Sequence, residues 1–116
     1  MKARPTECAS PSERMVTEMP GDAVTVAPHV YKVLLENDRV RILEIKIEPG
    51  GSSEMHSHPD LAAYAVTDCT WELTSEDGET VTAEIPAGGV LYQEATSHAA
   101  KDVGASGSLA IAIELK

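Results

Sequence analysis

The sequence predicts an all-β domain, an antiparallel sandwich or barrel, from three observations. Apolar and polar residues alternate in several short segments. Turn signals containing Gly or Pro separate these segments at intervals of about ten residues. No stretch keeps a helical period for more than about two turns. Short strands with regular turns between them are typical of antiparallel sandwiches and barrels.

The chain divides into an N-terminal arm and one β domain. Residues 1–22 are rich in Ser, Thr, Glu, Pro and Met and show no periodicity, which predicts an arm or tail. Residues 23–116 carry the strand pattern and are long enough to bury a core without disulfide bridges.

The first clear strand places Leu43, Ile45 and Ile47 on one face and ends at the turn Pro49-Gly50-Gly51. Residues 71–74 and 81–85 then predict a hairpin joined by Ser75-Glu76-Asp77-Gly78. Pro86-Ala87-Gly88-Gly89 is the next turn signal, and residues 90–92 begin another strand. The last strand is predicted over residues 109–116.

The net charge and the cysteine content indicate which kinds of partner and which compartment to expect. The net charge is −10, so the chain repels phosphate backbones and anionic lipid, and we expect no nucleic-acid or membrane partner. No apolar run is long enough to span a bilayer, and no apolar stretch follows the basic N-terminal residues. Cys8 and Cys69 are too few for a disulfide scaffold, which favours free thiols in the cytoplasm, with Cys69 as a small buried residue.

Histidines supply the strongest functional signal. His56 and His58 are separated by one residue, so a strand would point both imidazoles to the same face. His98, on a distant segment, could complete a set of three nitrogen donors. Neutral imidazole is the commonest metal ligand in proteins, and catalytic metal sites combine three protein ligands with open positions. The fourth histidine, His29, lies outside this pattern and is expected at the surface.

These motifs resemble those of a small single-domain cupin, over roughly residues 29 to 116. Gly50 or Gly51 precedes His56-Ser57-His58 at the spacing of the first cupin motif. Gly88-Gly89 precedes His98 at the spacing of the second. The resemblance extends to residues 34–41, 55–59, 103–104 and 113–116. It implies a cupin jelly roll, a double-stranded β-helix barrel of six to eight strands, with His56, His58 and His98 pointing into one end.

The sequence departs from the family pattern at two places. The Glu that often serves cupins as a fourth ligand falls at Ala62 or Ala63, and neither can ligate. Residues 94–96, Glu-Ala-Thr, stand where the family has Pro-x-Gly. The resemblance therefore implies three histidine ligands for a divalent transition metal, with Fe, Zn, Ni, Cu and Mn all open. A degenerate cupin with an empty site fits the same departures.

Few other residues could take part in chemistry near the metal. Glu94 is the candidate general base and Tyr92 the candidate substrate-orienting residue, and either Tyr92 or Gln93 should face the cavity. Glu54 and Asp60 are expected as rim charges or as partners of the imidazoles. Core packing is the favoured interpretation for two further aromatic residues, Tyr64 and Trp71.

Three functions are open at this point. One is a metal-dependent enzyme, a dioxygenase or an isomerase or lyase, acting on a small polar or carbonyl substrate. Another is a non-catalytic module that binds a small molecule or senses metal, and the third is a cupin with an empty site. We also expect a homodimer, because cupins commonly dimerise and exposed strand edges are best covered. Metal binding should weaken below about pH 6, because imidazoles must be neutral to ligate.

Overall fold

The computed structural model describes residues 21–116. Residues 1–20 of the predicted arm lie outside the described residues, and the boundary after residue 22 stays a prediction. The described part begins with one short helix, α1 (Ala23–Val26), followed by nine strands. The strands are β1 (Tyr31–Glu36), β2 (Val40–Ile47), β3 (Ser52–His58), β4 (Leu61–Ala65), β5 (Cys69–Ser75), β6 (Thr80–Ile85), β7 (Val90–Gln93), β8 (Thr96–Asp102) and β9 (Ser108–Leu115).

Two antiparallel sheets form the domain. The first has the strand order β1-β2-β9-β4-β7, and the second has the order β3-β8-β5-β6. Strands that are far apart in sequence pair within each sheet, as β2 does with β9 and β3 with β8. The all-β prediction is confirmed, although the nine strands of the described residues exceed the expected six to eight. Within residues 21–116, no helix has the length and apolar content needed to cross a bilayer.

The predicted turns are present where the sequence placed them. Gly78 has a φ of +89°, which joins β5 to β6 in the expected hairpin. Gly50 has a φ of +75° in the turn between β2 and β3. Glycine adopts this left-handed region without the steric penalty of a Cβ atom, which explains its use at both turns.

The core lies between the two sheets. Leu43, Ile45 and Ile47 of β2 are buried, as their alternation predicted. Cys69 and Trp71 of β5 are buried opposite them, so the small-residue and core interpretations of these two are confirmed. The two sheets therefore share one hydrophobic core.

The alternation of side chains along β4 and β9 places large apolar residues on the outer face of the sheet. Tyr64 is 49% exposed, so its expected core position is wrong, because Leu61, Ala63 and Ala65 occupy the inward positions of β4. On β9 the inward positions hold Ser108, Ala110, Ala112 and Glu114, and the larger aliphatic side chains point outward. Strands β4 and β9 consequently have mostly small residues on their inner side and an apolar outer side.

Residues before α1 pack against the strand that carries two of the histidines. The Ser57 backbone N–H donates to the Gly21 carbonyl at 2.8 Å, and Asp22 forms a bridge with Ser57. Asp22 also caps α1, because its carboxylate accepts from the Val24 N–H at 3.1 Å. The start of the domain is thus fixed beside β3.

Candidate metal centre

Three histidines meet on the inner face of the second sheet. His56 and His58 lie two residues apart on β3, and His98 on β8 is the direct cross-strand partner of His56. Alternation along β3 turns both of its imidazoles to the same side, as the His-x-His pattern predicted. All three residues are at most 9% exposed. The structure therefore brings together the three predicted ligands.

The three rings converge on one point. Their centroids are 4.7 Å (His56–His58), 4.8 Å (His56–His98) and 5.1 Å (His58–His98) apart, with interplanar angles of 90°, 86° and 68°. One nitrogen from each ring lies within 4.8 Å of the other two. Tetrahedral zinc–nitrogen bonds of about 2.1 Å place donors about 3.4 Å apart, so small side-chain rotations would bring the three nitrogens to that spacing.

Hydrogen bonds set the tautomers of the two histidines on β3. His56 Nδ1 lies 2.6 Å from the Glu54 carbonyl oxygen, which can only accept, so Nδ1 carries the proton. His58 Nδ1 likewise donates to Oε2 of Glu114 at 2.7 Å. Both Nε2 atoms are therefore left with a lone pair, the state that a metal ligand requires.

Glu114 belongs to a buried charged network. Its Oε1 accepts from Arg41 Nε at 2.9 Å, and Arg41 Nη2 also contacts Asp22 at 2.5 Å. The hydrogen bonds with Asp22 raise the pKa of Arg41. Although burial opposes it, the Arg41 guanidinium lowers the pKa of Asp22. The network links the His58 ring to the beginning of the domain, and it holds Glu114 in place for its bond to Nδ1.

Burial keeps two of the imidazoles neutral. It lowers the pKa of His56 below the usual 6.5, and together with the nearby His58 and His56 it lowers the pKa of His98 to about 3. In the folded protein the His98 ring therefore remains unprotonated in mild acid, and burial favours the neutral form of His56 as well. The site therefore presents neutral imidazole donors.

Tyr31 is a further polar group in contact with the cluster. Its hydroxyl lies 3.0 Å from His56 Nε2 and is the donor, since that nitrogen carries no proton. The Tyr31 ring meets both histidines of β3 edge-on, and burial raises its pKa. In the metal-free protein, the neutral Tyr31 hydroxyl thus donates a hydrogen bond to the lone pair of His56 Nε2.

A small cavity adjoins the histidines, between the two sheets. It has a volume of about 40 Å³, and its walls are mostly aliphatic, with Trp71 among them. Its polar lining consists of Tyr31, His58, His98 and Gln93. No carboxylate lines it among the residues that the structure describes.

Solved structures of cupins are similar to this chain in fold. A cupin domain from Bordetella pertussis matches with a TM-score of 0.69 and 24% identity, over 85% of this chain and 97% of that one. An RmlC-like cupin with a double-stranded beta-helix fold from Methanocaldococcus jannaschii matches with a TM-score of 0.60 and 16% identity, over 74% and 78%. This chain has the cupin fold.

A third solved structure is a cupin superfamily protein from Desulfitobacterium hafniense, with a TM-score of 0.56 and 18% identity over 74% of this chain and 75% of that one. No protein-family model matches the sequence, and no curated protein matches it. The similarity at these identities establishes the cupin fold. What the cupin binds or catalyses has to be argued from its own side chains.

Of the two residues proposed from sequence for catalysis, neither joins the histidines. Tyr92 points outward from β7, is 58% exposed, and donates its hydroxyl to Asp60 at 2.9 Å. Glu94 is exposed beside an open groove that His98 also lines. Gln93 is the member of the Tyr92/Gln93 pair that faces the cavity, because it shares strand parity with Leu91. Catalytic roles for Tyr92 and Glu94 stay predictions.

Other sequence candidates occupy the rim of the cupin. The Glu54 side chain is exposed, and only its backbone carbonyl contacts His56. Asp60 bonds Tyr92 and the Ala95 N–H, both outside the cavity. His29 is exposed and bonds the Ser52 carbonyl, as its surface placement predicted.

Sequence reasoning missed the carboxylate that this cupin does place near its histidines. Glu114 is 1% exposed and contacts Nδ1 of His58, so it orients that ring and does not take the place of the missing carboxylate at residues 62–63. A signal was available in β9, where Glu114 has the same parity as Ala110 and Ala112. A charged residue in a row of small inward residues indicates a buried partner.

Proposed function

We propose that this cupin is a metal-binding protein in which His56, His58 and His98 hold one divalent transition metal ion. The observation that supports it most is the convergence of three buried rings, two of them with Nδ1 already bonded and Nε2 left as an acceptor. A metal-ligating histidine typically donates the N–H of its other ring nitrogen to a hydrogen-bond acceptor. Imidazole donors suit Zn, Fe, Ni, Cu and Mn, and the ring geometry does not discriminate among them.

A bound ion with three neutral ligands would keep its full charge and open positions, so it would act as a Lewis acid toward a small substrate. The protein's own residues would orient the ligand and exclude water. Tyr31 supplies a hydroxyl beside the ion, and the aliphatic walls limit solvent. We propose a small-molecule substrate with a polar or carbonyl group as the occupant.

Among enzymatic activities, a dioxygenase is favoured over an isomerase or lyase. Proton abstraction requires a positioned base with a suitable pKa. The described lining of the cavity contains no carboxylate, and burial raises the pKa of Tyr31, which makes the phenol a poor base. The same lack of a base supports a second candidate function, a module that binds a small molecule without turning it over.

We propose a homodimer formed through the outer face of the first sheet. Ile113, Ala62 and Tyr92 lie in register across β9, β4 and β7, and Tyr64 and Val90 continue the apolar surface in the next row. Exposed apolar patches of this kind usually mark interfaces in soluble proteins. A second copy presents the same uncharged surface, so two sheets could stack face to face. We place the dimer in the cytoplasm, without nucleic-acid or membrane partners, in keeping with its net charge of −10.

Metal analysis of matched histidine variants tests the proposed site. We expect wild type to retain close to one equivalent of metal and His58→Ala to lose most of it. His29→Ala is the control, because it removes an exposed histidine that lies outside the cluster. Equal metal content in wild type and His58→Ala would refute the three-histidine site.

Two further measurements separate the functional alternatives. Oxygen consumption with diketones, flavonols and thiols should detect a dioxygenase, whereas specific ligand binding without turnover supports the binding module. Light scattering after size exclusion should give the mass of two chains for wild type and of one chain for Tyr64→Asp. A monomeric wild type would refute the dimer.

A further inference from the structure

Gln93 carries an unsatisfied hydrogen-bonding group inside the protein. Its Nε2 atom is buried and has no hydrogen-bond partner among residues 21–116. Gln93 lines the same cavity as His58 and His98. Burying an amide N–H without a partner is costly, so such groups usually meet a partner that is present when the protein functions.

Gln93 lies at the mouth of the cavity. Gln93, His98 and Leu73 line both the closed cavity and an open surface groove of about 430 Å³. A ligand that enters from the groove would therefore pass the Gln93 amide before it reaches the inner walls. The amide and the histidines would then contact one ligand together.

We propose that Gln93 recognises the ligand, donating its side-chain amide N–H to an acceptor oxygen on a small, largely aliphatic molecule that fills this cavity. This inference rests on the proposed function for the role of the histidines. The proposed hydrogen bond joins the Gln93 amide to the ligand and does not involve a metal, so it can be measured with or without metal.

The cavity limits the size and chemistry of the ligand. One water-sized group needs about 10–15 Å³ of such volume, so about 40 Å³ admits an aliphatic chain of about three or four groups, with the polar head of the ligand left at the mouth beside Gln93. The walls of the cavity also include Ile45, Leu61 and Trp71, which favour an aliphatic body. Short-chain carboxylates and ketones combine that body with an acceptor oxygen.

The sequence makes the contact easy to observe. Gln93 is the single glutamine and Asn37 the single asparagine, so only two side-chain amide pairs arise in a ¹⁵N-labelled sample. The Asn37 side chain accepts from the Arg39 and Val40 backbone at an exposed turn and serves as the internal control. Butyrate, 2-butanone and butylamine provide a carboxylate, a carbonyl and a donor-only probe of similar length.

We expect butyrate or 2-butanone to shift the Gln93 amide pair while the Asn37 pair stays fixed, and butylamine to shift neither. Calorimetry should then give an affinity about tenfold lower for Gln93→Leu, the loss of one buried hydrogen bond. Gln93→Glu, which replaces the donor with an acceptor, should lose at least as much. Thr82→Ala, on the exposed face of β6, should bind as wild type does.

Metal content is measured on every variant, so that two failures can be told apart. If wild type holds no metal but butyrate or 2-butanone still shifts the Gln93 amide, the proposed metal site fails and the role of Gln93 stands. If metal is bound and Gln93→Leu binds both acceptor probes as tightly as wild type, the role of Gln93 is overturned. Absence of binding by either acceptor probe overturns it as well.

Discussion

Mild acid should destabilise the metal-free protein through His98. Its pKa is about 3 in the folded state, against about 6.5 for an unfolded chain. Below pH 6.5 the unfolded state therefore binds a proton that the folded state does not, and the free energy of unfolding falls as the pH falls. Each pH unit below about 6.5 lowers the free energy of unfolding by about 1.4 kcal/mol. Lowering the pH from 7.5 to 5 therefore removes about 2 kcal/mol of stability through this residue.

Urea unfolding of chelator-treated protein at pH 7.5 and pH 5 measures this effect. We expect His98→Gln to lose about 2 kcal/mol less than wild type over the same interval, because its side chain cannot take up the proton. His29→Gln, a substitution at an exposed histidine, should behave as wild type does. If wild type and His98→Gln lose the same free energy, then His98 titrates normally in the folded state and the argument from burial is wrong.

Two further predictions concern the residues around the ligands. Glu114→Gln should cost about 1–3 kcal/mol of stability, because it removes the charged acceptor that His58 and Arg41 share, while Arg41 keeps its pairing with Asp22. It should also weaken metal binding about 10- to 100-fold. Urea unfolding and chelator competition measure the two effects, and unchanged metal affinity would exclude an orienting role. Tyr31→Phe should cost about 1 kcal/mol of stability and raise metal affinity about fivefold, since the hydroxyl no longer occupies His56 Nε2. A fall in that affinity would instead make the phenol oxygen a ligand.

The low pKa values also change the expected pH profile of metal binding. From the sequence, protons should compete with metal below about pH 6. Since burial lowers the pKa of His56 and His98, competition at these two ligands begins at lower pH. Affinity that stays level between pH 8 and pH 6 is therefore compatible with imidazole ligation.

The sequence was sufficient for the fold and for the three-histidine cluster because both depend on regular spacing. Strand alternation fixes the side on which His56 and His58 lie, and turn residues such as Gly78 fix where strands reverse. His98 was found through the spacing of the second cupin motif. Each of these signals is local or recurs at a characteristic distance.

The partners of the ligands could not be predicted in the same way. Glu114 reaches His58 because β9 lies in the sheet opposite β3, and Tyr31 reaches His56 across the same gap. Nothing local in the sequence fixes which residues meet between two sheets. The sequence also left open whether Tyr92 or Gln93 faces the cavity, since one position of strand parity decides which side chain turns inward.

Alanines on three different strands, Ala63, Ala83 and Ala100, line the cavity beside the histidines. None of them contributes to the ligand set or to the charged network. Replacing one of these alanines with a larger aliphatic residue would therefore change which molecules fit the cavity while leaving the three histidines in place. The shape of the cavity and the histidine cluster can thus change independently of each other in evolution.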